Sequence, residues 1–324
     1  MAPRRTLEDV LASLAKAREH PGSPESLAAL RGALTSRNAF AVAKAARLVG
    51  ELELTALGAE LVAAFERIIG DDGDDPGCTA KAAIADALYR LGHDAAGVFL
   101  RGIRHVQMEP VFGGRVDAAI DLRGACALGL VRIGYRNVLL ELADLLADRE
   151  PSARIAAARA LAYRGGDDAV PLLRLRVLAG DEPSVVGECL AALLRLSPRH
   201  SLPFAASFLD SRNHEVAEAA ALALGASRLE DAFSVLHEWV DRVASRILRR
   251  AGFVALATLR RDAALDYLFG VVEKAASSTA ALAVEALGIY KGELALEDRL
   301  RQAAAGREEP ALHDALARAL GEKR

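Results

Sequence analysis

Two His-Glu dipeptides, His214-Glu215 and His237-Glu238, are of residue types that could hold a metal ion, since imidazole with carboxylate suits iron. One pair would open a helix and the other would lie inside one, so they share no register from which ligands could converge. Asp71, Asp72, Asp74 and Asp75 crowd into IIGDDGDDPGC, but the spacing of a calcium loop and its closing glutamate are absent, and the stretch reads as a solvated acidic turn. Cys78, Cys126 and Cys189 have no CxxC spacing. Cys126 and Cys189 occupy a slot filled elsewhere by Ala157, Ala220, Gly252 and Ala283, as a small packing thiol would. Arg246, Arg249 and Arg250 share a helical face near Arg260 and Arg261, and the cluster reads as a solvated surface rather than a phosphate site. No phosphate-binding glycine loop, Ser-His-Asp order or HExxH helix occurs. No catalytic residue, metal or cofactor is therefore assigned.

The elements that must position these side chains are helices. The 324 residues are 52% hydrophobic, 26% charged and only 5% aromatic, with alanine and leucine dominant and sheet formers scarce. A net charge of -3 argues against nucleic acid as the main partner, because that affinity rests on neutralised phosphates. No apolar run reaches the ~20 residues of a bilayer span, and the N-terminus lacks the apolar core of a signal peptide. Three cysteines fit a reducing compartment, and the expectation is a cytoplasmic protein.

A phrase recurs along the chain: an alanine-rich helix ending in Ala-Leu, a polar link, then a leucine-rich helix. Clear copies are PSARIAAARAL from Pro151, PSVVGECLAAL from Pro183, HEVAEAAALAL from His214 and PALHDALARAL from Pro310. The closing leucines are Leu48, Leu88, Leu130, Leu161, Leu193, Leu224, Leu256, Leu287 and Leu320, spaced by 31 to 33 residues from Leu130 onward. A pair of short helices fills that period and cannot bury its apolar face alone, so the pairs must stack into an all-α solenoid. Pro151, Pro183 and Pro310 mark first turns of the first, or A-type, helices, and Pro171 and Pro203 the starts of the second, or B-type, helices. Gly50, Gly92, Gly134 and Gly225 are expected to close helices. Residues 1–36 lack the phrase and read as a helical-hairpin cap, with helix starts at Thr6 and Ser23. Residues 37–324 form the solenoid, of about eight helix pairs.

ARALAYRGGDDAVPLLRLRVLAGDEP resembles the helix-turn-helix phrase of short bacterial HEAT repeats of the phycobilin-lyase HEAT-like type. The resemblance spans residues 38–320 and implies a stacked-helix fold while leaving the task open. Deoxyhypusine hydroxylase, a HEAT-like protein that binds two irons through several His-Glu pairs, is not matched in the register or number of those pairs. HEAT-like DNA glycosylases use aromatic and acidic residues on a basic face, whereas Trp239 beside Asp241 stands in an apolar column and reads as core.

Two spacings are long, 40 and 42 residues, placing insertions near 70–77 and 105–121. The second, RHVQMEPVFGGRVDAAIDLRG, concentrates His105, Glu109, Phe112 and Arg115 with a Gly113-Gly114 pair, the mixture a recognition loop needs. The competing expectation is that Val111 and Phe112 fold back over a repeat junction as a plug. Aligning the B-type helices gives an apolar stripe (Leu173, Leu236 and Leu268) and an adjacent outward column of Arg101, Arg174, His237 and Phe269. With B-type helices lining a concave face, as in HEAT-like folds, that ridge plus Arg104, His105, Glu109, Phe112 and Arg115 would bind a protein or peptide partner. The sequence therefore points to a non-enzymatic scaffold. A HEAT-like enzyme or cofactor-handling protein is the alternative, and a nucleic-acid binder the third.

Overall fold

The computed structural model describes residues 7–70 and 72–321, and of Asp72 the backbone only. It is an all-α repeat fold, divided into two compact units that meet in sequence at Gly165 and Gly166. The helix start expected at Thr6 lies outside the described residues, as does Asp71 of the acidic turn.

The first unit opens with α1 (Leu7–Glu19) and α2 (Pro24–Leu34), which pack on each other and on α3. Ser23 caps α2 by accepting a hydrogen bond from the Ser26 N–H, and Pro24 follows at the first helical position. The A-type helices of this unit are α3 (Ala39–Glu51), α5 (Thr79–Leu91), α7 (Ile120–Arg132) and α9 (Pro151–Arg164). Its B-type helices are α4 (Gly58–Ile68), α6 (Ala96–Gly102) and α8 (Val138–Leu146). Between α6 and α7 stands a two-stranded antiparallel hairpin, β1 (Met108–Val111) and β2 (Gly114–Asp117).

The second unit begins with the B-type helix α10 (Val170–Ala179). A-type helices α11 (Pro183–Leu196), α13 (His214–Ala226), α15 (Arg246–Leu259) and α17 (Ser277–Leu287) then alternate with B-type α12 (Pro198–Ala206), α14 (Ala232–Arg242), α16 (Asp262–Lys274) and α18 (Leu294–Ala304). The A-type α19 (Pro310–Leu320) is the last described element. The A- and B-type helices from α3 to α18 make eight pairs.

All nine closing leucines are buried, which fixes the repeat register. Each A-type helix packs against the next within its unit, and small residues set how closely. A Cβ on Gly225 would lie 2.4 Å from the Ala255 carbonyl oxygen, and one on Gly50 would lie 3.0 Å from the Ala87 Cα. These two glycines, expected to close helices, instead lie within α3 and α13 and permit backbone contact with the next A-type helix. Gly92 does close its helix, in the left-handed region at φ 60°. Pro151, Pro183 and Pro310 open α9, α11 and α19, whereas α12 opens earlier, at Pro198, and contains Pro203. Cys126, Cys189 and Trp239 are buried core residues.

Arginines tie neighbouring repeats together about one period apart. Arg260 meets Glu293 at 2.9 Å, Arg299 meets Asp266 at 2.7 Å and Arg242 meets Asp210 at 3.0 Å. These pairs are solvent-exposed, so each contributes well under ~1 kcal/mol and they act chiefly on register.

Candidate functional site

The second insertion is an ordered hairpin. Val111 pairs with Gly114, leaving Phe112 and Gly113 as a two-residue turn, and Gly113 supplies the positive φ, 88°, that the turn requires. Phe112 stands at the tip with 109% relative exposure. Val106, Met108, Val111 and Val116 are exposed around it, which excludes a plug made by Val111 and Phe112. Exposed apolar side chains grouped on one hairpin make it a candidate interaction surface.

The foot of the hairpin is held by charges out of water. Asp75 is fully buried and accepts hydrogen bonds from the N–H groups of Ala80 and Lys81, each at 2.9 Å, at the start of α5. Lys81, also fully buried, donates through Nζ to Gln107 Oε1 at 2.6 Å, and Gln107 Nε2 donates to the Asp75 carbonyl at 2.8 Å. Arg123 donates to Asp117 Oδ2 at 2.6 Å and to the His105 carbonyl at 2.8 Å, and its Nε lies 3.2 Å from Asp148. Burial pushes the Asp117 carboxyl up, but the N–H groups of Ala119 and Gln107 and the Arg123 guanidinium more than offset it and hold the group below its ordinary value. The hairpin is thus a stalk seated on fixed ionic contacts rather than a floppy loop.

The residues expected to contact a partner separate sharply. Glu109 turns inward, its Oε1 accepting from the Gly77 N–H at 2.7 Å and from Gln107 Nε2 at 2.6 Å. Arg101 pairs with Glu66 at 2.5 Å, Arg104 grips Glu141 through two nitrogens, and His105 Nε2 lies 3.4 Å from Gln107 Oε1. Arg115 donates to the Met108 carbonyl at 2.6 Å while remaining exposed. In the second unit, Arg174 covers the Phe204 ring at 3.8 Å, and His237 stacks on Phe233 at 5.3 Å. Phe269 does not face outward as expected: it is 2% exposed, because the Arg299 guanidinium covers its ring at 4.2 Å. The polar members of the expected ridge are therefore occupied within the chain, and Phe112 stands free.

The first unit also has a cleft on a face other than the one expected. A depression of ≈ 660 Å³ crosses α3, α5, α7 and α9, all A-type helices, rather than the B-type ridge. Its floor includes Ala82, Gly124, Ala125, Leu128 and Ala156, and Arg47, Asp86, Asp121 and Arg159 line it with charge. The short 3-10 turn Pro76–Cys78 reaches its edge, so the Gly77–Glu109 hydrogen bond joins cleft and hairpin foot. Among the described residues, no three His, Cys, Asp or Glu side chains gather as metal ligands.

Sequence reasoning passed over Asp75, Lys81, Asp117 and Arg123 as a group. Their signal was a column seven residues before the closing leucines: Ala41, Lys81, Arg123, Arg154, Val186, Ala217, Arg249, Ala280 and His313. From Ala41 to Ala280 it is buried or half-buried, and its three arginines reach back toward the preceding segment: Arg123 to the His105 carbonyl, Arg154 to that of Asp148 and Arg249 to that of Val243.

Stacked helix pairs with this register define an all-α solenoid fold. Residues 115–193 match the family model for HEAT repeats. No curated protein matches the chain. Among solved structures, human deoxyhypusine hydroxylase, in complex with glycerol, is 19% identical, over 79% of this chain and 92% of that one, with a TM-score of 0.31. The complex of CpcE and CpcF of phycocyanin lyase from Nostoc sp. PCC7120 is 18% identical, over 93% of this chain and 96% of that one, with a TM-score of 0.34.

Proposed function

We propose that the chain is a non-enzymatic HEAT-type scaffold that captures a protein partner through the hairpin of its first unit. The observation that carries this reading is Phe112, fully exposed on a stalk whose foot is locked by buried charges. An aromatic side chain, with only two torsions to fix and an ordered stalk beneath it, loses little further entropy on binding and suits the centre of an interface. Arg115 is the charged side chain left exposed on the two strands, with Glu109 drawn to the foot and Asp117 buried. The complementary surface is an apolar pocket with an acidic rim. The neighbouring A-helix cleft would receive the segment flanking that pocket. The three cysteines are buried in the helical core, and the setting proposed for the chain is the cytoplasm.

The test is co-purification from the native cell with wild type and with Phe112→Ala combined with Arg115→Ala, followed by mass spectrometry and affinity measurement. We expect the double variant to lose ~2 kcal/mol or more of partner affinity while thermal stability stays within ~1 kcal/mol. A large loss of stability with binding per folded molecule unchanged would make the hairpin a structural part and end this reading.

A further inference from the structure

The second unit contains a separate depression of ≈ 530 Å³, walled by α14, α15, α16 and the first turn of α17. Phe253 and Tyr267 form its aromatic side, their ring centroids 6.5 Å apart and their planes tilted by 59°. Gly270 sits within α16, where glycine costs ~1 kcal/mol against alanine. A Cβ on Gly270 would meet nothing within 4 Å, so no neighbour requires its absence. The contrast is with Gly252 on α15, where a Cβ would lie 2.3 Å from Val240. What Gly270 preserves is open volume against the aromatic wall.

The charges around that volume do not cancel. Both oxygens of Asp241 are engaged: Oδ1 accepts the Tyr267 hydroxyl at 2.7 Å, and Oδ2 lies 3.4 Å from His237 Nε2. The phenol, half-buried and facing a carboxylate, stays neutral. Arg249 gives Nη2 to the Val243 carbonyl at 2.6 Å, which fixes the guanidinium and leaves its other nitrogens as donors. Lys274 is exposed and has no ion-pair partner among the described residues. An oriented guanidinium and an ammonium thus flank an apolar slot whose one carboxylate is already occupied.

We propose that this depression binds a small organic anion, its carboxylate or phosphate group held by Arg249 and Lys274 and its flat apolar body lying against Gly270, Phe253 and Tyr267. Charge-assisted bonds supply orientation, and the missing Cβ supplies the space. The lining of the site lies wholly within the second unit, and the hairpin belongs to the first.

The experiment titrates the full chain with phenyl phosphate and with benzoate, using calorimetry and ligand-observed NMR. Inorganic phosphate and acetate serve as probes that lack the apolar body. We expect saturable one-to-one binding of at least one aromatic anion, about tenfold or more tighter than its small counterpart. Gly270→Leu should fold with an unchanged or higher Tm and bind about tenfold more weakly, and Lys274→Glu should also weaken binding. Absence of saturation at millimolar concentration overturns the proposal. So does Gly270→Leu binding as tightly as wild type, and so does equal affinity for inorganic phosphate, which would reduce the effect to surface charge.

Discussion

Replacing Arg123 by methionine removes the cation on which the hairpin foot depends. The wild-type side chain makes contacts of 2.6, 2.8 and 3.2 Å to Asp117, the His105 carbonyl and Asp148. Methionine refills much of the apolar volume but offers no donor, so both carboxylates lose their counter-ion. Asp148 keeps 19% of its side-chain surface in water and can rehydrate in part, whereas Asp117 keeps 3%. Removing one partner of a buried pair costs about 3–5 kcal/mol, and the partial rehydration places this variant near the lower end, at ~3 kcal/mol at pH 7. The pH dependence has a definite sign. In wild type the Asp117 carboxyl titrates below its ordinary range, so its stabilisation is complete above about pH 4 and fades as pH falls through the folded value. In Arg123→Met the same carboxyl takes up a proton more readily, so the gap between variant and wild type should narrow below about pH 4. Urea unfolding followed by circular dichroism gives the magnitude. Peptide-level hydrogen exchange over residues 105–130 assigns it to the first unit, since two compact units can unfold in separate transitions. A loss under ~1 kcal/mol at pH 7, or one undiminished at pH 3, would refute the buried-charge account.

Glycine substitutions separate contact from open space. Gly225→Ala should lower stability by about 1–3 kcal/mol, because its Cβ would collide with the Ala255 backbone, while Gly270→Ala should raise it by ~1 kcal/mol. Chemical denaturation of both variants checks the pair, and equal effects would contradict the A-helix contact. Leu224→Ala leaves a cavity at a fully buried closing leucine and should cost about 2–5 kcal/mol, read from the shift of the urea midpoint at constant m-value.

The repeat was legible because stacking demands the same small and apolar residues at the same offsets, and nine leucines at a near-constant period leave little freedom in register. Phe112 was legible for the opposite reason, as an aromatic beside paired glycines where a few residues would have closed the turn. The hairpin itself was harder to foresee. Met108–Val111 and Gly114–Asp117 are four residues each, and strands that short, with a proline among them, carry almost no period. The inward turn of Glu109 and the burial of Phe269 were not legible at all. Both depend on partners remote in sequence, the Gly77 N–H for one and the Arg299 guanidinium for the other. Phe269 leaves the B-type ridge because outward direction was inferred from spacing within one helix, while the Arg299 guanidinium of the next repeat covers its ring.

Pro110 and Arg115 face each other in the hairpin, and their pairing has a consequence for the behaviour of the molecule in concentrated solution. Alternation from the closing Val111–Gly114 pair turns the backbone groups of residue 110 away from β2, toward the place where a further strand would add. Proline has no N–H to offer there, and the outward Met108 carbonyl is already taken by the Arg115 guanidinium. The outer border of β1 is therefore closed to strand-by-strand growth. On that side of the hairpin, the stickiness of a bare phenylalanine among exposed valines is confined to side chains that must find a shaped pocket.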